Sequence, residues 1–424
     1  MKCILQWPVR ENVAVAALAL CVIGEACISP NLAVLGVTQL SKCEHNCELF
    51  MHMLYLSRNC GAFLVNTLLA FEIGLSNKGE YWKNFLPSLV ATALAFVIYL
   101  TGLRIFKLDT KSEAGSETCR SFYLLASHVG WLKQSRTEQS YTLTSHIQDR
   151  KETAFDNLKK LVKIVLVNSS VFGFNIIYSQ MLTTYGIQAD SVLSPQHIRA
   201  PCAFMSSFND TTVIILVAVI LAMFSSRLRW RKLKVDLFSR MGIGLVCAVL
   251  SAFVAIVLEF ERKKDCKANH GVSSLSVFVL IPQYAMIGLG EILTLVSGMQ
   301  LAYLGAPKGL RCTSLGLLKT ALGLGDFTAY GVLELLERFN PDWYDHHDRC
   351  MSLNLGRTDD YLLFLVGLLV GCFIFFLIVA RYVSTSDRIS SRTRRNATTL
   401  LGVTSQRTTS KVSVNNSNVY KEKD

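Results

Sequence analysis

The chain has 424 residues, of which 51% are hydrophobic and only 17% are charged, and its mean hydropathy is +0.35. This composition excludes an ordinary soluble protein and is typical of a helical protein with several membrane spans. The formal net charge is +12 at pH 7. Because the cations lie in short segments between apolar stretches, we expect them to contact the lipid bilayer and expect no nucleic-acid partner.

Apolar stretches recur that are long enough to cross a hydrocarbon core, which takes about 20 helical residues. They predict an all-α polytopic membrane bundle. Loops rich in Lys and Arg stay in the cytosol, so segment 226–240, the loop with Lys308 and Arg311, and the tail after Tyr382 are predicted to be cytosolic. The predicted spans are 13–37, 49–74, 84–106, 160–183, 204–225, 237–259, 275–302, 310–335 and 359–383.

A charged residue interrupts each of the first two predicted spans. Glu25 and Arg58 both lie about 15 Å from the cytosolic edge, at a rise of about 1.5 Å per residue. Charged side chains at that depth are costly and tend to pair. The sequence therefore predicts a Glu25–Arg58 ion pair, and leaves open whether the pair only fastens two helices or has a functional role.

Two regions are predicted to lie outside the membrane. Residues 107–159 are polar and mixed in charge, which indicates a cytosolic linker between a three-helix part (1–106) and a six-helix part (160–383). Residues 384–424 are rich in Ser, Thr, Asn and Arg, a composition typical of a disordered tail. Both regions are candidates for binding cytosolic partners.

Polar and aromatic side chains stand out in, or just after, the two spans that follow the linker. Such residues are candidates for lining a cavity, although each one taken alone is at least as well explained by helix packing. The candidates are Tyr178, Gln180, Tyr185 and Asn209.

The segment from Ile281 to Lys308 is the most informative part of the chain. It reads IPQYAMIGLGEILTLVSGMQLAYLGAPK, a long apolar helix with one carboxylate, Glu291, near its middle. An ionisable group at that depth marks by default a site that meets a substrate, a proton or a partner charge. The next span carries Lys319 and Asp326, seven residues apart and so on one helix face. If Lys319 reaches Glu291, it competes with a cationic substrate for that carboxylate.

The thirteen cysteines show neither CxxC nor Cys/His metal spacing. Cys202, Cys266 and Cys350 fall in predicted outer loops, which leaves a disulfide among them open. The sequence has no Gly-rich phosphate loop and no evident nucleophile–base triad, so neither an enzyme nor a metal or organic cofactor is expected.

Taken together, these motifs resemble the proton-coupled oligopeptide transporter family of the major facilitator superfamily, with the peptide/histidine transporter branch as the most similar. Residues 281–308 are similar to its tenth helix, which reads IPQYxxIGxxEhxxxxxGLEFAYxxAPK. The resemblance runs from about residue 13 to 383. Further similar segments are 24–39 (fourth helix), 54–62 (fifth), 176–188 (seventh, YxQxxTTYxxQ), 207–209 (eighth, with Asp210 where proline is usual) and 313–327 (eleventh).

The resemblance implies a major-facilitator-type bundle with about nine spans and an incomplete N-terminal half, because the match begins at the fourth helix. It implies that Glu291 binds the amine of a peptide, while cations of the N-terminal half hold the carboxylate. The ExxER motif of the family's first helix, tied to proton coupling, is predicted to be missing. Ser29 and Gln300 also replace a lysine and a glutamate of the family patterns.

The sequence therefore predicts a proton-coupled symporter-type transporter of di- or tripeptides or histidine, truncated or diverged so that its coupling is impaired. The proton is the only coupling ion expected if transport is retained. An endosomal or lysosomal membrane, or the plasma membrane, is the expected location. The alternative is a non-transporting membrane interaction or scaffold protein that uses residues 107–159 and 384–424.

Overall fold

The computed structural model describes residues 7–40, 44–72, 82–106, 156–195, 201–225, 235–269, 273–339 and 358–385. Apart from one bridge between Leu193 and Ser276, these ranges hold helices and turns without a β-strand, which confirms the all-α class. By its internal contacts the chain divides into two units, Met1–Ile374 and Phe375–Asp424. Of the second unit, only the end of the last helix falls within the described ranges.

Nine long helices occupy the described ranges. They are α1 (Trp7–Gln39), α2 (Glu44–Glu72), α3 (Trp82–Gly102), α4 (Asp156–Asp190), α5 (Pro201–Ser225), α6 (Leu237–Ala268), α7 (Val277–Gly305), α8 (Arg311–Phe339) and α9 (Thr358–Thr385). Six of them, α1, α4, α5, α6, α7 and α9, contain stretches long and apolar enough to cross a membrane. Helix α3 adds a shorter apolar stretch, Leu86–Gly102.

Large apolar side chains are exposed along several of these helices. Leu20 in α1 is 70% exposed, Phe96 in α3 is 59% exposed and Leu363 in α9 is 61% exposed. Continuous apolar faces of this extent are unfavourable in water and suit a hydrocarbon environment. The chain is therefore an integral membrane protein.

The division into three-helix and six-helix parts stays a prediction, and most of 107–159 and 384–424 lies outside the described residues.

Helix α4 is interrupted near its middle. An α-helix, Ser169–Tyr178, is followed by a 3-10 turn, Ser179–Met181, and by a second helix, Thr184–Asp190. The Oε1 atom of Gln180 accepts hydrogen bonds from the hydroxyls of Thr183 and Thr184, at 3.2 and 2.8 Å. A break of this kind at membrane depth needs such compensation for its polar groups, so Gln180 stabilises the interruption.

Helices α6 and α7 approach closely where both carry glycine. A Cβ atom at Gly244 would lie 2.1 Å from Oγ1 of Thr294, and one at Gly290 would lie 2.8 Å from the carbonyl oxygen of Gly244. Small residues allow this kind of backbone approach between membrane helices. The contact lies beside a π-helical turn, Ile292–Val296, that follows Glu291 directly.

We expect Gly290→Ala to lower the free energy of unfolding by about 1–3 kcal/mol, because the added methyl group overpacks a contact with backbone. Gly323→Ala is the matched control, since no atom lies within 4 Å of its Cβ position and alanine favours a helix by about 1 kcal/mol over glycine. Thermal unfolding in detergent compares the two variants. A Gly290→Ala midpoint equal to that of Gly323→Ala would contradict the close contact.

Candidate functional site

Glu291 ends the regular helix Ile281–Glu291 and is buried, with 4% of its surface exposed. The hydroxyl of Tyr55 in α2 donates a hydrogen bond to Oε1, and Nδ2 of Asn209 in α5 donates one to Oε2 at 3.0 Å. Within the described ranges no cation lies within 4.0 Å of this carboxylate. The two donors hold Glu291 in place without neutralising it.

The packing of α2, α5 and α7 brings these groups together. Helix α2 packs along α5, and α5 packs against α7. Gly288 in α7 permits the second contact, because a Cβ atom there would lie 2.9 Å from the backbone oxygen of Asn209. A side chain at that position would push α5, and with it Asn209, away from Glu291.

A second buried acid, Asp210, lies next to Asn209 and is 5% exposed. Its Oδ2 atom accepts a hydrogen bond of 2.7 Å from Nδ2 of Asn66 in α2. Asp210 and Glu291 lie within electrostatic range of each other. Sequence reasoning did not include Tyr55, Asn66 or Asp210 among the site residues. The one sequence feature that could have indicated this group is Asp210 itself, an aspartate where the eighth-helix motif has proline.

Arg58 lies one helical turn beyond Tyr55, and its side chain is exposed. It lies within electrostatic range of Glu25, Glu291 and Asp210. The ion pairs formed among the described residues do not include the predicted Glu25–Arg58 pair, so that prediction of a direct contact is not met. The two side chains interact through electrostatic attraction without direct contact.

Lys319 in α8 is half-buried, and its electrostatic neighbours are Arg58 and Glu25. The structure therefore does not bring Lys319 to Glu291, as direct competition for that carboxylate would require. Asp326, seven residues on, accepts a hydrogen bond of 2.6 Å from Nδ2 of Asn175 in α4. Lys319 and Asp326 share a helix face without pairing with each other within 4.0 Å.

The aromatic candidates in α4 fall into two groups. Tyr178 is half-buried and lies within electrostatic range of Glu291 and Arg58, so it belongs to the cluster around the carboxylate. Tyr185 is fully buried, its hydroxyl lies 3.3 Å from Oγ of Ser251, and its ring packs edge-on against Tyr284. Helix packing accounts for Tyr185, as it does for Gln180 at the interruption of α4.

A separate buried ion pair lies toward the other end of α6. The carboxylate of Glu259 accepts hydrogen bonds from Arg262 at 2.6 and 3.0 Å and from Nε2 of Gln188 at 3.0 Å. Both charged side chains are at most 2% exposed. The sequence left open a disulfide among three loop cysteines. Of these, Cys266 is disulfide-bonded, and Cys202 is a free thiol and so is excluded as its partner.

The ExxER pattern does occur once in the sequence, from Glu334 to Arg338. The prediction that the sequence lacks this motif was therefore wrong. These residues lie at the end of α8, the helix that resembles the family's eleventh, and Glu334 is exposed there. Glu334 is fifteen residues beyond Lys319, about 22 Å along the helix.

Among the described residues, no group of three His, Cys, Asp or Glu side chains could hold a metal ion.

Comparison with known proteins agrees with this architecture. Solute carrier family 15 member 3 of Mus musculus is 27% identical over 387 residues, which cover 81% of this chain and 66% of the relative. The rat protein of the same name is 25% identical over 423 residues, covering 89% and 72%. Protein NRT1/PTR FAMILY 7.2 of Arabidopsis thaliana is 22% identical over 408 residues, covering 83% and 69%. The chain thus spans just under two thirds of the length of the mouse relative.

Solved structures show the same fold. The in meso crystal structure of the POT family transporter PepTSo superposes with a TM-score of 0.55 at 18% identity, covering 84% of this chain and 76% of that one. An auto-inhibited POT family peptide transporter superposes with a TM-score of 0.53 at 15% identity, covering 84% and 74%. Both neighbours are transporters, but at these identities the likeness shows the fold alone, and the expectation that the chain is not an enzyme rests on the family match. Residues 3–344 match the model of the POT family, PTR2, and the chain therefore belongs to that family.

Proposed function

We propose that the chain is a secondary transporter for small zwitterionic molecules, di- or tripeptides or histidine, whose ammonium group binds Glu291. The observation that carries this proposal is the buried carboxylate, fixed by Tyr55 and Asn209 without a cation within 4.0 Å in the described ranges. A carboxylate held in this way forms strong charge-assisted hydrogen bonds with an incoming ammonium.

Arg58 and Lys319 supply the opposite charge for the carboxylate of the same molecule. Each lies within electrostatic range of the other, and neither forms an ion pair within 4.0 Å among the residues that the structure describes. Two like charges near each other favour an anion between them. They would take the role that the family resemblance assigned to cations of the N-terminal half.

Alternating access, in which one helical repeat rocks against another around a midplane site, is the transport mode that this fold supports. The proton is the proposed coupling ion, and we expect the coupling to be weak. The one ExxER string in the sequence lies in α8, where its first glutamate, Glu334, is exposed. Fifteen residues of helix separate Glu334 from Lys319. The endosomal, lysosomal or plasma-membrane location and the scaffold alternative stay predictions.

The test is counterflow uptake of a labelled dipeptide, and separately of histidine, by the purified 424-residue chain in liposomes. Arg58→Gln should weaken binding of the zwitterionic dipeptide by about 1.5–3 kcal/mol, the range for hydrogen bonds to charged groups. Binding of the corresponding dipeptide amide, which has no carboxylate, should change little. Arg104→Gln is the matched control, since Arg104 is an exposed arginine just after α3.

Two results would count against this function. One is the absence of both binding and counterflow for every probe, and the other is equal loss of dipeptide and dipeptide amide binding in Arg58→Gln. Uptake that depends steeply on an imposed pH gradient would contradict the expectation of weak proton coupling.

A further inference from the structure

Glu291 is covered by the residues that bind it. Its side chain is 4% exposed, and its two donors, Tyr55 and Asn209, are 3% and 1% exposed. The hydroxyl of Tyr55 donates to Oε1, and Nδ2 of Asn209 donates to Oε2 at 3.0 Å. An ammonium group binds a carboxylate oxygen at about 2.7–2.9 Å. Some part of this cover therefore has to move before a ligand can reach Glu291.

Backbone packing closes two sides of the helical turn that ends at Glu291. A Cβ atom at Gly288 would lie 2.9 Å from the backbone oxygen of Asn209 in α5. A Cβ atom at Gly290 would lie 2.8 Å from the backbone oxygen of Gly244 in α6. Backbone atoms packed this closely cannot move aside unless whole helices separate. Asn209 is therefore held against α7 by the helix that carries it.

Tyr55 belongs to a different helix, α2, which packs mainly along α5. A tyrosine side chain can turn between staggered rotamers without a change in the backbone. Tyr55 is thus the part of the cover that can leave Glu291 while α5, α6 and α7 stay packed.

Helix α2 is fastened on both sides of Tyr55. Glu48, Tyr55 and Asn66 lie on one face of α2, because seven and eighteen residues are close to two and five helical turns. Glu48 forms an ion pair of 2.7 Å with Arg240 of α6, and Asn66 donates a hydrogen bond of 2.7 Å to Asp210 of α5. These contacts lie about 10 and 16 Å from Tyr55 along the helix. They hold the backbone of α2 in place, so the movement falls to the side chain of Tyr55.

We propose that Tyr55 is a lid over Glu291, which the ammonium group of a ligand displaces. The hydroxyl of Tyr55 occupies Oε1, the carboxylate oxygen that Asn209 leaves open. When the ring turns away, the ammonium group takes Oε1 and Asn209 keeps Oε2 in place. The exchange is favourable for an ammonium group because it brings a full positive charge to the carboxylate, which the phenol does not. The lid therefore selects ligands with a free amine, an inference that rests on the proposed function.

The substitution Tyr55→Phe separates a lid from a group that only positions Glu291. A positioning hydroxyl would support ligand binding, so its removal would weaken the affinity for a free-amine dipeptide. A lid competes with the ligand, and the phenylalanine ring is no longer tied to Glu291. The affinity should then rise by about fivefold or more, because apparent affinity is limited by the fraction of protein with an open site.

Calorimetric titration with a free-amine dipeptide and its N-acetylated form measures this difference. The N-acetylated form has no ammonium group and should gain nothing from Tyr55→Phe. Tyr185→Phe is the matched control, since Tyr185 is also fully buried but its hydroxyl lies 3.3 Å from Oγ of Ser251, away from Glu291. Its affinity for the dipeptide should equal that of wild type.

A hydrophobic carbodiimide tests the lid without any ligand. It forms a stable N-acylurea with a carboxyl group that it can reach, and peptide mass spectrometry quantifies the product at Glu291. Tyr55→Phe removes only the hydroxyl, whereas Tyr55→Ala also removes the ring, so the two variants separate the cover from the lost hydrogen bond. Modification should be slow in wild type, faster in Tyr55→Phe, and about tenfold faster again in Tyr55→Ala, because it follows the uncovered fraction. Tyr178→Ala should stay near wild type, since Tyr178 lies near Glu291 without covering it in this way.

The lid is overturned if Tyr55→Phe binds the free-amine dipeptide as well as wild type does or more weakly. It is also overturned by equal modification in Tyr55→Ala and Tyr55→Phe, or by faster modification in Tyr178→Ala than in Tyr55→Ala. Helix content and gel filtration verify folding; if Tyr55→Ala does not fold, equal modification rates in Tyr55→Phe and wild type overturn the lid. If wild type binds no dipeptide, the proposed function fails, and the carbodiimide experiment still decides the lid.

Discussion

Arg262→Met should lower the free energy of unfolding by about 3–5 kcal/mol, the cost of leaving a buried charge without its partner. Glu259 is fully buried, and its carboxylate receives two hydrogen bonds from Arg262 at 2.6 and 3.0 Å. The remaining donor, Nε2 of Gln188 at 3.0 Å, is neutral and cannot replace the charge. The methionine side chain keeps most of the volume of arginine, so the loss reports on charge.

The double variant Glu259→Gln/Arg262→Met should recover much of that loss, because it removes both charges from the buried site. Lys264→Met is the matched control: its ion pair with Glu261 spans 4.0 Å and both side chains are more than half exposed, so the change should stay within about 0.5 kcal/mol. Thermal unfolding in detergent ranks the four proteins. Equal midpoints for Arg262→Met and Lys264→Met would show that the buried pair contributes little.

Glu291→Gln should weaken the binding of peptides with a free amine by about 1.5–3 kcal/mol, the range for hydrogen bonds to charged groups. Glutamine keeps the size of the side chain and a hydrogen-bonding end, but removes the negative charge that an ammonium needs. N-acetylated peptides have no ammonium and should bind wild type and variant alike. Calorimetric titration of both peptide forms measures the difference.

Two companion variants make this test specific. Glu334→Gln changes an exposed acid at the far end of α8 and should leave affinity unchanged, which also tests the ExxER string there. Lys319→Ala should weaken affinity and not improve it, because Lys319, whose electrostatic neighbours are Arg58 and Glu25, is proposed to help hold the carboxylate of the ligand. Measurable and equal affinity of wild type and Glu291→Gln for free-amine peptides would remove Glu291 from the site.

Several polar candidates illustrate where sequence reasoning stops. Tyr178 and Tyr185 lie in one motif of α4, yet Tyr178 joins the cluster around Glu291 while Tyr185 packs against Ser251 and Tyr284. The interruption of α4 shifts the angular positions of residues beyond it, so helical spacing alone could not assign their faces. Likewise, the sequence could not decide whether Lys319 reaches Glu291, because it leaves the rotation of each helix about its axis undetermined.

The sequence by itself determined the helical membrane class, the family and the carboxylate at position 291. Hydropathy over about 20 residues and motif spacing are local properties that one sequence reveals. Only the tertiary structure decided which polar groups meet. The Tyr55–Glu291 and Asn66–Asp210 hydrogen bonds join residues 236 and 144 positions apart. They exist because α2 packs along α5, while Gly288 lets α5 approach α7 closely.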